Sequence, residues 1–128
     1  MEIDQAYVMK VYRTVTTNPT AQHLDFLVEA HGKIGYYAAL AQGEADQAED
    51  MRKYQEATKW REIKDENPKW TAAQVEAAVI VACYEYRKAE NKAAEAAKKM
   101  NNLIDTVRES INAIKYLGRN GGDVRIGP

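Results

Sequence analysis

Residues 71–117 read TAAQVEAAVIVACYEYRKAENKAAEAAKKMNNLIDTVRESINAIKYL, and the pattern of this stretch decides the fold. Thr71 followed by Gln74 is a capping-box pair, and Trp70 and Val75 flank it as a hydrophobic staple, so a helix begins here. From that start Val75, Val79, Ala82, Tyr86, Ala89, Ala93, Ala96, Met100, Leu103, Val107, Ser110, Ile114 and Leu117 recur at alternating four- and three-residue intervals. That is a heptad seam. At 1.5 Å per residue a continuous helix of this length would be roughly 70 Å long, too long for a compact small globule. Its Ala-rich middle calls for a closely approaching partner helix.

The partner lies upstream, across the turn signal Asn67-Pro68. A segment from about 20 to 66 carries Leu24, Leu27, Val28, His31, Ile34, Ala38, Ala41, Ala45 and Ala48 at helical spacing. Gly32, Gly35 and Gly43 each cost about 1 kcal/mol relative to Ala inside a helix, which predicts a bend or break near 32–35 or else a close approach of another helix. Before Asn18-Pro19, Ile3, Tyr7, Val11 and Val15 define a short docking helix over about 3–16, weakened by the β-branched run Thr14 to Thr17. The expected fold is all-α: a long antiparallel helical hairpin with a short N-terminal helix, one domain over 1–118, a flexible tail over 119–128, and assembly as a homo-oligomer. Ile104 and Ile111 widen the C-terminal stripe, so Ile104, Val107, Ile111, Ile114 and Leu117 are the candidate oligomer interface. The alternative is that the first helix folds back onto that face.

Composition supports helix and narrows function. The 128 residues suit a single domain, and 20 Ala against 7 Gly, 3 Pro and 1 Phe favour helix and starve β-sheet. A single cysteine, Cys83, excludes an intrachain disulfide or a multi-cysteine zinc site and fits a reducing compartment. With no signal-peptide pattern and no apolar run of about 18 residues, the chain reads as soluble and intracellular, without a membrane. His23 and His31 lie outside any zinc-binding spacing; His31 reads as a satisfied core histidine and Cys83 as a buried small hydrophobe. The pairs Glu49-Asp50 and Asp65-Glu66 read as surface charge, and neither Gly32-Lys33-Ile34-Gly35 nor Gly121-Gly122 is placed as a phosphate loop. Neither an enzyme nor a cofactor is expected.

Charge carries the functional signal. The net charge is -1, yet residues 1–50 hold 3 basic and 8 acidic side chains and residues 51–128 hold 15 and 11. Arg52, Lys53, Lys59, Arg61 and Lys64 cluster with Tyr54 and Trp60, and Arg87, Lys88, Lys92, Lys98 and Lys99 form a second group. Cations that neutralise phosphates beside rings on which bases stack suit single-stranded nucleic acid. The alternative is a solvated helix face with intrahelical ion pairs.

Over about residues 20–118 the chain resembles the phage recombination mediators of the UvsY type. The likeness lies in a helix bearing Leu24, Tyr36 and Tyr37, a charged helix ending in Lys59-Trp60-Arg61, and a second long helix finishing in Ser110-Ile111-Asn112-Ala113-Ile114-Lys115 before Gly118. The resemblance implies a phage protein in the bacterial host cytoplasm, a homo-oligomer that binds single-stranded DNA and helps load a RecA-like recombinase. The family's Lys-x-Arg element would fall on Lys59 and Arg61, with Arg52, Lys53, Trp60 and Lys64 beside it. A rival reading is a helical protein-interaction module, such as a phage-encoded inhibitor or scaffolding coiled coil.

Overall fold

A computed structural model describes residues 2–118, so the expected flexible tail at 119–128 lies outside the described residues. Four α-helices account for most of them: α1 (Gln5–Thr16), α2 (Leu24–Glu66), α3 (Ala72–Ala82) and α4 (Tyr84–Tyr116), with a single 3-10 turn at Ala21–His23 and no strand among the described residues. The chain is all-helical, as expected.

Local chemistry sets the helix ends. Asp4 caps α1 by accepting from the Tyr7 amide at 3.2 Å. At the other end the Thr16 and Thr17 hydroxyls donate back to the Tyr12 and Arg13 carbonyls at 2.8 Å. Asn18 then adopts φ 53, a left-handed conformation that Asn tolerates, and Pro19 cannot continue the helix. The capping box of α3 forms: Gln74 N–H donates to Thr71 Oγ1 at 3.2 Å, and Thr71 N–H donates to Gln74 Oε1 at 2.9 Å.

At the glycines the alternative of a close helix approach holds over a break, and further on one detail differs from the sequence reading. α2 runs unbroken through Gly32, Gly35 and Gly43. At Gly35 the reason is packing, since a Cβ there would sit 2.9 Å from Ile104 Cδ1 of α4. The third segment, by contrast, is interrupted at Cys83, whose φ of -106 and ψ of 20 leave the helical basin after the β-branched run Val79-Ile80-Val81. The interruption moves the buried stripe one residue along. Cys83, Arg87, Glu90 and Ala97 turn inward where alternating spacing pointed to Ala82, Tyr86, Ala89 and Ala96, which are exposed. From Met100 onward the expected positions Leu103, Val107 and Ile114 are buried, with Ile111 in place of Ser110.

The chain divides into two compact units. In the first, residues 2–40 with 98–118, Val11, Leu27, Ile34, Tyr37 and Ala38 share a core with Met100, Leu103, Val107, Ile111 and Ile114. Tyr7 anchors α1 on α2 by an edge contact with Tyr37 at 6.5 Å and a tilted one with Phe26 at 6.0 Å, while Lys33 Nζ lies 4.2 Å from its ring centroid. Val8, Met9, Tyr12 and Val15 of α1 meet Met100 and Leu103 of α4 along an apolar cleft. Of the candidate oligomer stripe, Val107, Ile111 and Ile114 are buried in this unit, Ile104 lies against Gly35, and Leu117 is exposed, at 61%. The second unit, residues 41–97, has a smaller cluster of Val75, Val79 and Cys83 backed by Ile63.

The open space around Gly32 separates conformational cost from packing, because nothing lies within 4 Å of a Cβ there. Gly32→Ala is expected to raise the unfolding free energy by about 0.5–1 kcal/mol. Gly35→Ala should gain less, since the Ile104 side chain must shift. Urea denaturation of both variants checks this, and equal gains would remove the packing account of Gly35.

Candidate functional site

The basic residues of α2 are mostly committed to the fold. Arg52 Nε donates to Glu90 Oε2 at 2.9 Å and its terminal nitrogen to Glu56 Oε1 at 3.1 Å. Glu56 also accepts a two-pronged contact from Arg87 of α4, at 2.6 and 3.2 Å. These four side chains clamp α2 to α4 within the second unit. The Glu56 side chain is 15% exposed. Burial alone would raise its pKa, but the hydrogen bonds from Arg87 and Arg52 outweigh that and hold it below the ordinary carboxylate value. Glu90 and then Glu56 push the Arg52 guanidinium up in turn. Arg52 is therefore a structural cation.

Lys64 is likewise engaged, donating to the carbonyls of Pro68 at 3.3 Å and Trp70 at 2.8 Å and closing the turn into α3. Lys53 pairs with Glu49 at 2.8 Å and Lys59 with Glu62 at 3.2 Å, both on the surface. Such pairs contribute under about 1 kcal/mol and leave the ammonium groups able to find another anion. Arg61 is exposed and has no ion partner among the described residues. Two positions apart on a helix lie about 200° apart around its axis, so Lys59 and Arg61 face opposite sides of α2 and do not form one patch. Trp60 borders a cleft of about 400 Å³ together with Glu56, Glu76 and Arg87, where two carboxylates oppose a phosphate.

Charge counted in space differs from charge counted along the chain. α2 holds 6 basic and 10 acidic residues, and the unit of 41–97 holds 9 and 12. α4 reverses the balance with 7 basic against 5 acidic. On it, within the second unit, Tyr84, Lys88 and Lys92 follow one another at four-residue intervals on one side of the helix. Tyr84 is 58% exposed, and both lysines are exposed with no carboxylate partner among the described residues. Lys98 and Lys99, in the first unit, are exposed too. The sequence grouped these lysines along one helix and favoured the α2 cluster for its interleaved Tyr54 and Trp60, whereas the fold divides the group between the two units.

α3 adds a different surface. Its one charged residue is Glu76, and opposite Val75 and Val79 it leaves Ala73, Ala77, Ile80 and Val81 uncovered, Val81 at 78%. Cys83 is buried, and the burial raises its thiol pKa and keeps it protonated and unreactive. His31 departs from expectation: its Nε2 is buried yet has no hydrogen-bond partner.

Comparison of the chain with protein-family models, with curated proteins and with solved structures finds no match.

Because the Glu56 pKa is lower in the folded chain than its ordinary 4.5, the clamp contributes fully above that value and is lost as pH falls through the folded one. Stability is expected to decline on acidification below about pH 4.5, with the Glu56→Gln variant lacking that part of the decline. At neutral pH the same substitution should cost about 1–3 kcal/mol. Denaturation series from pH 3 to 7 on both proteins measure the difference, and parallel curves would mean that the clamp adds nothing.

Proposed function

We propose that the chain is a non-catalytic protein that binds single-stranded DNA without sequence preference and acts as a recombination mediator. The observation that carries this reading is the ladder Tyr84, Lys88 and Lys92, exposed on the cation-rich helix and free of carboxylate partners among the described residues. Lysines one turn apart neutralise successive phosphates while an exposed ring offers a base a stacking surface. Lys53, Lys59 and Arg61 are secondary contacts in this account, and Arg52, Lys64 and Trp60 drop out of it. One copy of so small a patch binds weakly. A homo-oligomer that repeats it would multiply the affinity and present the strand to a RecA-like recombinase. Self-association would then use a face other than the buried stripe of α4.

A protein-interaction module is the second reading, favoured by the uncovered apolar side of α3 with Ile80 and Val81. It expects no affinity for DNA. No helix among the described residues is long and apolar enough to cross a membrane.

Fluorescence anisotropy with a labelled single-stranded oligonucleotide and its duplex, at two salt concentrations and with the assembly mass measured alongside, separates the two. Tighter binding of the single strand is expected, weakening with salt. The Lys88→Ala plus Lys92→Ala variant should lower the logarithmic salt slope by about 1.4, two contacts' worth for single strands. Unchanged affinity in that variant would overturn the site, and no binding at low salt would leave the protein-partner reading.

A further inference from the structure

We propose that the chain self-associates head to tail, with α3 of one copy seated in the cleft between α1 and α4 of a second copy. This rests on the homo-oligomer of the proposed function and makes no use of its DNA contacts. Each unit leaves one apolar surface uncovered among the described residues. In the first unit a cleft of about 550 Å³ follows α1: Val8, Met9, Tyr12 and Val15 line one wall, and Met100 and Leu103 of α4 line the other. The α1 residues recur at three- and four-residue intervals and so form one stripe along that helix. Met9 is 45% exposed and Tyr12 53%, so the chain does not close the wall itself. In the second unit α3 buries Val75 and Val79 and leaves Ala73, Ala77, Ile80 and Val81 exposed.

The two surfaces match in length, shape and charge. α1 has 12 residues and α3 has 11, about 18 and 16 Å long at 1.5 Å per residue. Ala73 and Ala77 let the α3 backbone come close to facing helices, while Ile80 and Val81 supply the bulk that fills a groove. The charged residues of α1 are Lys10 and Arg13, both basic, and the one charged residue lining the cleft is Lys99. α3 carries Glu76 and no base. Two α3 helices face to face, or two clefts, would oppose like charges, whereas one surface against the other pairs acid with base. The chain thus carries both halves of a complementary contact, which makes a second copy the occupant. Such a contact is heterologous. It leaves the cleft of the first copy and α3 of the second open, so it repeats until a ring closes or a filament extends.

The test measures the mass of the full chain by sedimentation velocity over a concentration series, for the wild type and for Val81→Lys and Met9→Lys. Both positions are exposed and lysine suits a helix, so both variants should fold, with circular dichroism as the check. Each places an ammonium group within the apolar contact and is expected to weaken self-association about tenfold or more. Mixed in equal amounts, the two variants should pair, because the Val81→Lys chain keeps its cleft and the Met9→Lys chain keeps its α3. That pair should not grow, since the remaining cleft and the remaining α3 are both altered. Association that either variant leaves unchanged, or a mixture no more associated than its separate components, would overturn this contact while a homo-oligomer through another face stands. A wild type that is monomeric throughout the series would overturn the contact and the homo-oligomer together, and would leave the α3 side to a different protein. Strand binding is read independently by anisotropy, so its failure is distinct from both.

Discussion

Helices that face one another largely through alanine have little apolar area with which to fix their register, and in residues 41–97 charge does that work. Glu56 is shared by Arg52 of its own helix and Arg87 of the opposite one, and Arg52 reaches on to Glu90. A two-pronged guanidinium–carboxylate contact tolerates little sliding, because a slip of one residue would turn the partners away from each other. Its geometry follows from the interruption at Cys83, which rotates Arg87 and Glu90 inward. The small cluster of Val75, Val79, Cys83 and Ile63 then fills the remaining space.

The same clamp changes how the charges of the protein are to be understood. A basic cluster along the chain becomes, in the folded unit, a set of cations most of which already have oxygen partners. What remains available is set by which helix face is left over after packing, and on α4 that face carries Tyr84, Lys88 and Lys92. The acidic character of α2 means that any attraction for a polyanion is local and sensitive to salt.

Much of the fold was legible in the sequence. Thr71 and Gln74 mark a helix start by a local reciprocal hydrogen bond, which needs no tertiary knowledge, and it forms as read. The long helices and their pairing follow from periodicity. Less visible was anything that depends on a partner across space. Gly35 left a break and a close helix approach both open because the cost of glycine is local, whereas the group that decides between them, Ile104, lies 69 positions away. Ile104, Val107, Ile111 and Ile114 offer more apolar width than one partner helix covers, and the sequence left both an oligomer contact and a cover from within the chain open, because burial depends on helices distant in sequence. Arg52 looked available because its i+4 neighbour Glu56 could be seen but Glu90 and the competing Arg87 could not. Lys59 and Arg61 were separable from sequence alone, since a spacing of two on a helix divides them.

The unequal cores of the two units bear on the order in which the chain loosens. Residues 2–40 with 98–118 bury Leu27, Ile34, Val11 and Val107 completely, while 41–97 relies on a few small side chains and a polar clamp. Backbone amides of α2 and α4 therefore belong to two populations although each helix is continuous. Those between 41 and 97 are expected to exchange with solvent through lower-cost partial openings than those beside Val11 and Val107, which the larger core protects. The first turns of α4, with Tyr84 and Lys88, thus lie in the unit with the smaller core.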